Sequence, residues 1–324
     1  MSRLSRSAEP RLLVAALSLL AVATAQAQQD FSEVQIDAQA VAGSVYMLTG
    51  AGGNIGVSAG EDGVIIVDDQ YAPLASKIRN ALAELAGDAA PIRFVINTHY
   101  HGDHTGGNET FQGDYGAAVI AHENVRKRLA EGGKAGNKAR IAFDLEPAAQ
   151  DALPVITFHD GMTLHLNGED IRAMHLAHGH TDGDAIIYFA KANVVHMGDN
   201  FVTYGFPFVD LSAGGTVDGM IHTVEHVLSA LPEDVKVIPG HGDLSTTADM
   251  RRFVAMLRDT QARVKAAHEE GVSLAQMKEQ NLLAAWADAW GGGFVKVNDF
   301  IDTLYNDLTQ QQTSARDPDA HGHH

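Results

Sequence analysis

The sequence predicts an α/β fold in which two β-sheets pack face to face and helices cover their outer surfaces. Strand-like apolar runs occur in two groups, one within residues 44–97 and one within residues 155–238. Segments with apolar residues at helical spacing are interleaved with both groups. A sheet and an amphipathic helix each have an apolar face to bury, so two sheets with outer helices accommodate both groups.

The first group begins with short strands separated by turns. Strands are predicted at residues 44–48, 55–58 and 63–67, and the intervening Gly, Asn and Asp residues are typical of hairpin turns. The glycine cluster at 50–54 lacks the Gly-Lys-Ser/Thr of a phosphate loop, so we interpret it as a turn. A helix at 74–85 and a buried strand at 92–97 follow.

The second half begins with a charged, glycine-broken stretch, residues 122–149, that is predicted to be helical. A helix is also predicted at 217–228, and strands are predicted at 155–158, 162–166, 171–176, 185–189, 194–197 and 235–238. Apolar faces at 250–257 and 297–308 predict C-terminal helices, from about residue 246, that pack on the main domain. The polar, His-containing tail, residues 310–324, is predicted to be disordered and to bind metal only adventitiously.

The first 27 residues have the features of an export signal. Three arginines precede the apolar run 12–22, and Ala25-Gln26-Ala27 is a small-x-small cleavage site. The run is shorter than the ~20 residues that span a bilayer, so an uncleaved anchor is the less favoured interpretation. The sequence therefore predicts a periplasmic protein with one mature domain, residues 28–309, and no membrane association after signal cleavage.

Composition limits the partners and the chemistry. The formal net charge is −18, and removal of residues 1–27, with three Arg and one Glu, makes it −20. Such a charge repels phosphate backbones, so we expect a small-molecule substrate rather than a nucleic acid. The chain has no cysteine. Any metal ion must therefore be bound by imidazole and carboxylate groups, without thiolates.

A metal site is predicted directly after the strand at 92–97, where His99, His101, Asp103 and His104 are crowded into six residues. Alternation along an extended chain sends His99 and His101 to the same side, where they can bind one ion. Asp103 and His104 then face elsewhere and can bind a second ion. This ligand set suits zinc, with iron or manganese as alternatives.

Three further candidate ligands each follow a predicted strand. They are His180 in Gly-His-Thr, Asp199 in Gly-Asp and His241 in Gly-His-Gly. A neighbouring glycine lets the backbone approach a crowded ion. The remaining histidines before the tail have no such context and are interpreted as surface or core residues: His122, His159, His165, His175, His178, His196, His222, His226 and His268.

These motifs, His-x-His-x-Asp-His, Gly-His-Thr, Gly-Asp and Gly-His-Gly, resemble those of the metallo-β-lactamase-fold hydrolase superfamily, in the same order over residues 40–245. The resemblance implies a four-layer αββα sandwich with a two-metal site at one edge of the sheets. It assigns His99, His101 and His180 to the first ion, Asp103, His104 and His241 to the second, and Asp199 to both.

The resemblance also implies that Asp68, which ends the strand at 63–67, supports a metal-bound histidine. Such a carboxylate fixes the tautomer and orientation of its partner. Asp182 and Asp184 are candidates for the same role, with turn formation as the competing interpretation. Tyr204, Phe206 and Phe208, in the loop 201–215, are candidates for the substrate mouth, with core packing as the alternative.

The expected reaction is hydrolysis assisted by two zinc ions that activate a shared water, with Asp103 as the catalytic residue that orients it or moves its proton. β-Lactamases with similar His and Asp motifs have Cys at the position of Asp199, whereas a bridging Asp is more similar to glyoxalase II-type thioesterases, lactonases, phosphodiesterases and sulfatases. Export favours substrates that arrive from outside the cell. We therefore expect a periplasmic hydrolase of cyclic amides or esters, with β-lactams as the specific prediction. A lactonase or thioesterase is the alternative, followed by a non-catalytic metal-binding protein.

Overall fold

The computed structural model describes residues 30–316. The predicted export signal and residues 317–324 lie outside the described residues. The described residues before Val34 belong to a separate N-terminal unit, in which the Ser32 amide donates a hydrogen bond of 2.9 Å to Asp30 Oδ1. All the elements below belong to the unit that begins at Val34.

The strands of the described residues follow the predicted order along the chain. They are β1 (Asp37–Ala42), β2 (Val45–Thr49), β3 (Ile55–Gly60), β4 (Gly63–Val67), β5 (Ile92–Ile96), β6 (Ala118–His122), β7 (Gly133–Gly136), β8 (Ala142–Leu145), β9 (Ile156–Phe158), β10 (Gly161–Leu166), β11 (Glu169–His175), β12 (Ala185–Phe189), β13 (Val194–His196) and β14 (Lys236–Ile238). The helices are α1 (Ala75–Ala86), α2 (Gly102–Thr105), α3 (Asn108–Gly113), α4 (Glu123–Glu131), α5 (Val217–Ala230), α6 (Thr247–Glu269), α7 (Leu274–Glu279), α8 (Ala284–Trp290) and α9 (Val297–Arg316).

The first sheet has the order β1-β2-β3-β4-β5-β6-β9. Strands β1 to β4 are antiparallel neighbours, whereas β4, β5, β6 and β9 run parallel. Parallel strands bring their C-terminal ends to one edge. The residues that follow β4 and β5, among them Asp68 and the histidine turn 99–104, therefore lie side by side.

The second sheet, as far as the structure describes it, has the order β10-β11-β12-β13-β14. Its first three pairs of neighbouring strands are antiparallel, and the β13–β14 pair is parallel. In that pair His196 is opposite Ile238. Asp199 and His241 each follow by three residues, so the register brings them to the same edge.

The two sheets share a buried core. Ile65, Ile96 and Ile120 of the first sheet contact the cluster that contains Ile187 and Phe189 of the second, and all five are fully buried. Burial of each such side chain stabilises the fold by roughly 1.5–3 kcal/mol. This layer fixes the separation of the two sheets whose edges carry the candidate ligands.

Helices cover both outer faces. Ile186, next to Ile187 on β12, points the other way and packs with Met220, Phe253 and Phe300 of α5, α6 and α9. On the opposite side, α1 contacts β3 and β4, while α3 contacts β5 and β6. The layers are therefore helix, sheet, sheet and helix, and the predicted αββα architecture with additional C-terminal helices is confirmed.

The structure differs from the prediction in several elements. In the stretch 122–149 only α4 is helical, because Gly132 and Gly133 adopt φ of 64° and 132° and lead into the β7–β8 hairpin. Strand β1 has four exposed residues in succession and therefore lacks the apolar alternation that a prediction needs. Strand β6 and helices α2, α3, α7 and α8 are also additional to the prediction.

The C-terminal helix is longer than predicted. Helix α9 ends at Arg316, so residues 310–316 are helical where the sequence predicted disorder. The chain has neither Gly nor Pro, the residues that most disfavour a helix interior, between Val297 and Arg316. Among the described residues, no helix combines the length and apolar character needed to cross a membrane.

Candidate active site

The turn after β5 positions four of the candidate ligands. His99 is buried directly beyond the strand, and His101 precedes the single-turn helix α2, which contains Asp103 and His104. The amide of His104 donates to the carbonyl of His101 at 3.0 Å. His99 and His101 lie in one group of potential ligands, and Asp103 lies in another. The bends at residues 98–100 and helix α2 produce this arrangement, rather than alternation along an extended chain.

The first cluster consists of His99, His101 and His180. One ligand atom of each lies within 4.8 Å of the others. His101 Nδ1 lies 2.9 Å from His180 Nε2. His99 Nε2 is buried without a hydrogen-bond partner. Three imidazole nitrogens thus surround one point, and one of them lacks any protein partner.

The second cluster consists of Asp103, His104 and His241, whose ligand atoms also lie within 4.8 Å of one another. His104 Nε2 is 3.2 Å from His241 Nε2, and His241 Nε2 is 3.3 Å from Asp103 Oδ2.

Asp199 faces both clusters. Its Oδ1 atom lies 3.2 Å from His104 Nε2, and its Oδ2 atom lies 3.4 Å from His241 Nε2 and 3.8 Å from His180 Nε2. All seven predicted ligands are therefore brought together at one edge of the sandwich.

These residues fit a metal centre. Imidazole and carboxylate are zinc ligands, and iron and manganese accept the same groups. Buried nitrogens of native proteins normally have partners, so the unpartnered His99 Nε2 indicates a place for an ion. The site could hold one ion at His99, His101 and His180 and another at Asp103, His104 and His241.

The electrostatics of the two clusters differ. Burial lowers the pKa of His99 well below its ordinary value and that of His180 to about 4, so these rings are neutral and have a free lone pair. Burial opposes protonation of His241, but Asp199 and Asp103 outweigh it and raise its pKa to about 9. In the second cluster the carboxylates therefore favour positive charge.

Asp68 contacts a candidate ligand, as the resemblance implied. Its Oδ2 atom lies 2.7 Å from His104 Nδ1 and accepts a hydrogen bond of 2.7 Å from Thr98 Oγ1, while its Oδ1 accepts from the Thr98 amide. Asp68 has a φ of 67°, a left-handed conformation that L-residues adopt at a cost. This backbone turn aims the carboxylate at the imidazole.

Asp210 is a supporting residue that the sequence analysis did not identify. Its Oδ2 atom lies 3.0 Å from His101 Nε2 and accepts a 2.5 Å hydrogen bond from Tyr100 Oη, and its Oδ1 accepts from the Gly136 amide. Asp210 stands in the irregular loop 201–215 with no flanking motif, so the sequence offers no signal beyond a lone acidic residue in an apolar stretch.

Asp182 and Asp184 contact other groups. Asp182 forms a bidentate ion pair with Arg128, with distances of 2.7 and 2.6 Å. Asp184 accepts from the amide and hydroxyl of Thr181 and from Asn200 Nδ2. The competing interpretation, turn formation, describes Asp184, which organises the turn that carries His180. Asp182 instead joins this turn to α4 through Arg128.

Glycines permit close approach at this edge. A Cβ atom on Gly53 would lie 2.1 Å from His104 Cε1, and one on Gly240 would lie 2.1 Å from Asp199 Oδ1. The predicted turn at 50–54 therefore packs its glycine against a candidate ligand, and the Gly-His-Gly motif makes room for Asp199.

Most other histidines match the prediction. His196 is buried and accepts from the Gly198 amide, and its Nε2 donates to the Asn54 carbonyl, so it is a satisfied core histidine. His222 and His226 are exposed on α5. His122 and His159 differ from the prediction because they lie close together with Glu123.

A cavity of about 570 Å³ opens onto the candidate ligands. Its walls are largely aromatic, and Phe143 and Phe294 are 45% and 55% exposed at its rim. Tyr204 and Phe208 line it, whereas Phe206 is buried and stacks on Phe300 at 4.5 Å. The lining residues are Tyr71, His101, Gly102, Asp103, Ala135, Phe143, Asp144, Leu145, Asp199, Tyr204, Phe208, His241 and Phe294.

Comparison with protein families agrees with this geometry. The family model described as Metallo-beta-lactamase superfamily matches residues 48–241, more than half of the chain and the whole span of the candidate ligands. The chain belongs to the metallo-β-lactamase superfamily. The resemblance drawn from the motifs is thereby confirmed.

Several curated proteins are similar in sequence to parts of the chain. A hydroxyacylglutathione hydrolase of Pelagibacter ubique is 27% identical over 150 residues, 46% of this chain and 52% of the relative. A second, of Methylococcus capsulatus, is 28% identical over 183 residues, 55% and 61% of the two chains. A probable metallo-hydrolase, YqgX of Bacillus subtilis, is 26% identical over 49% and 74%. The chain spans about half the length of the first curated relatives it matches.

Solved structures share the superfamily fold. A metallo-beta-lactamase from Pontibacter korlensis superposes with a TM-score of 0.58 and 15% identity over 69% of this chain and 99% of its own. The DIM-1 metallo-beta-lactamase has a TM-score of 0.56 and 19% identity over 70% and 99%. These likenesses concern the fold.

Proposed function

We propose that the chain is a dinuclear-zinc hydrolase that opens cyclic esters or amides. The observation that supports this best is the convergence of two ligand clusters, joined by Asp199, beneath one cavity. Each cluster offers three protein ligands besides Asp199, a number typical of catalytic sites with an open position for water or substrate. The hydrolase names of the similar proteins support the same reaction class.

In this proposal His99, His101 and His180 hold one zinc ion, Asp103, His104 and His241 hold the other, and Asp199 contacts both. Bound zinc supplies an activated water at neutral pH and polarises the carbonyl under attack. Asp103 is the proposed catalytic residue. Burial opposes its ionisation, but His104 and His241 lower its pKa to about 2, so its carboxylate is ionised and can accept a hydrogen bond that orients the attacking water.

The cavity favours uncharged substrates among the predicted classes. Among the described lining residues there is no Lys or Arg, and Asp144, which is not a candidate ligand, adds negative charge. A β-lactam carries a carboxylate and a glutathione thioester carries two, so each lacks a cationic side chain to pair with in this lining. The exposed rings of Phe143 and Phe294 suit an apolar acyl or aryl group. We therefore place a neutral lactone ahead of a β-lactam or a thioester.

β-Lactam hydrolysis is the second candidate, supported by the fold shared with two metallo-beta-lactamases. The predicted export signal, outside the described residues, would place either activity in the periplasm, where lactones and β-lactams arrive from the medium.

The test is a substrate panel with the purified, zinc-loaded protein: an acyl-substituted lactone, a glutathione thioester, nitrocefin and a phosphodiester. We expect kcat/KM to be highest for the lactone. Asp103→Ala should lower it by about 10²- to 10⁴-fold when the variant is loaded with zinc to the same content as the wild type. His165→Ala, a substitution of a 73% exposed ring, is the control and should leave the rate unchanged.

The panel also separates the alternatives. Turnover of nitrocefin above that of the lactone would identify a β-lactamase instead. An inert protein at full zinc loading, with all four substrates, would indicate the non-catalytic metal-binding protein. Full activity of Asp103→Ala would contradict the role of this carboxylate.

A further inference from the structure

A further group of side chains that could bind a metal ion lies at the end of β6. None of its members belongs to the two active-site clusters. His122 is the last residue of β6, and Glu123 is the first of α4. Strand β9 runs parallel to β6 with Phe158 opposite His122, so His159 follows at the same sheet edge. Two neighbouring parallel strands and a helix start thus bring His122, Glu123 and His159 together.

The three side chains are close enough to share an ion. One ligand atom from each lies within 4.8 Å of the others. His159 Nδ1 is 2.8 Å from Glu123 Oε1. Asp160 Oδ1, 3.9 Å from His159 Nε2, adds further negative charge.

The buried member of the group has an unused nitrogen. His122 is only 2% exposed, and its Nε2 atom is buried without a hydrogen-bond partner. Its ring is stacked on His175 with centroids 3.7 Å apart and planes 14° from parallel, and His175 Nδ1 donates to the Asp184 carbonyl at 2.8 Å. The ring of His122 is therefore held in place by packing while Nε2 lacks the partner that buried nitrogens normally have.

The other two members are adaptable. The side chains of His159 and Glu123 are 73% and 54% exposed, so they can adjust to an ion that approaches from solvent. A fixed imidazole with two movable partners is a workable arrangement for capture, because only the exposed side chains have to move.

We infer that His122, Glu123 and His159 form a separate binding site for a late first-row divalent ion such as zinc. Two imidazoles and one carboxylate prefer this class of metal, and water completes the coordination. Binding through His122 Nε2 places the ring proton on Nδ1. A protonated Nδ1 cannot accept the 3.2 Å hydrogen bond from the Asn124 amide at the start of α4, so metal binding has to outweigh the loss of that bond.

A bound ion would connect the end of β9 to the start of α4. This role is structural and is independent of the proposed hydrolytic activity, since no active-site ligand takes part. A simple ion pair between His159 and Glu123 is the competing explanation. The chain offers a matched example of such a pair in His165 and Asp170, which have the same 2.8 Å distance and the same 73% exposure of the histidine. That pair is in no metal-ligating group of the described residues.

The experiment counts zinc ions per chain after equilibrium dialysis, by elemental analysis, in the wild type, His159→Ala and the control His165→Ala. The full chain is used for all three, so any binding by the tail histidines cancels. We expect His159→Ala to bind one ion fewer than the wild type and His165→Ala to match the wild type. Glu123→Gln should weaken the same ion and leave the others in place.

Equal zinc content in the wild type and His159→Ala would overturn the inference. An equal loss from both histidine variants would overturn it as well, because it would indicate unspecific surface binding. Hydrolysis rates serve as the independent readout: they should be the same in all three proteins, whichever substrate the active site accepts.

Discussion

At the scale of single residues, hydrogen-bond acceptors contact the second ring nitrogen of three candidate histidine ligands. Asp68 contacts Nδ1 of His104, Asp210 contacts Nε2 of His101, and the Phe208 carbonyl accepts from Nδ1 of His180 at 2.8 Å. An acceptor there fixes which nitrogen carries the proton and leaves the lone pair of the other nitrogen for the ion.

Asp68→Asn tests this arrangement. The amide keeps an oxygen for the Thr98 amide but turns an NH₂ toward His104 Nδ1, where a donor faces a donor. We expect zinc affinity to fall by about 10- to 100-fold, measured by competition with a chromogenic chelator.

Asp69→Asn is the matched control for that measurement. Asp69 is equally buried and accepts from the Gly107 amide. Burial raises its pKa well above the usual carboxyl value, and an Asn amide of the same shape keeps an oxygen for the Gly107 amide. Equal zinc affinities of the two variants would contradict the role of Asp68.

Residue patterns identified the candidate ligands better than the carboxylates that contact those ligands. The candidate ligands stand in short motifs at strand ends, where few residue types satisfy the chemistry, and Asp68 ends a predicted strand at the same edge. Asp210 lies 109 residues beyond His101 in the sequence, so the contact between them exists only in the folded chain.

At the scale of elements, the C-terminal helices hold the loop 201–215 against the second sheet. Phe300 of α9 is fully buried and stacks on Phe206 of that loop, with planes 17° from parallel. The same loop carries Phe208 and Asp210, which contact His180 and His101. The helices beyond the superfamily match therefore help to position the ligands.

Phe300→Ala should destabilise the protein by about 3–5 kcal/mol, because it removes a buried ring and leaves a cavity under the loop. Equilibrium unfolding in urea measures this change. Phe294→Ala removes a ring that is 55% exposed and should change stability by less than about 1 kcal/mol. Similar losses for the two variants would show that α9 does not anchor the loop through Phe300.

Helix α9 also meets the start of α5, where Asp307 Oδ2 accepts from the Val217 amide at 3.0 Å. Burial raises the pKa of Asp307 to about 6, and the nearby Asp218 acts in the same direction. The folded state thus holds this proton more tightly than the unfolded state. The protonated Asp307 carboxyl contributes its full stabilisation below about pH 4. This contribution is lost as the pH rises through about 6.

Asp307→Asn should remove this dependence, because the amide is neutral at every pH and its oxygen still accepts from Val217. The free energy of unfolding of the variant, minus that of the wild type, should rise between pH 4 and 7 by up to roughly 3 kcal/mol. Urea unfolding of both proteins at several pH values measures the difference. The contributions of the other carboxylates are the same in both proteins and cancel. A difference that is constant over this range would contradict the shifted pKa.

Elements with a clear apolar period were predicted well, and polar ones were not. The helix at 74–85 and the predicted strands agree with α1, with β2 to β5 and with β9 to β14 within a few residues, whereas the buried strand β6 was not predicted. Strand β1 and the β7–β8 hairpin were missed because their residues are largely exposed, so pairing rather than burial determines their conformation.

At the scale of the whole molecule, the site exists only when both sheets are in place. The first sheet supplies the turn 99–104, and the second supplies Asp199 and His241, which follow its parallel strands β13 and β14. An ion that contacts both groups joins the two edges. Because the unfolded chain scatters these ligands, zinc should bind the folded state preferentially and stabilise it.

Metal removal tests this coupling. Zinc at a hundred times its dissociation constant contributes about 2.7 kcal/mol, so EDTA treatment should lower the Tm by several degrees, and added zinc should restore it. A reducing agent should leave the Tm unchanged, because the chain has no cysteine and hence no disulfide to lose. Differential scanning calorimetry of the stripped and reloaded protein gives both results. A stripped protein with the original Tm would show that the seven side chains come together without help from an ion, and that the two sheets alone determine the geometry of this edge.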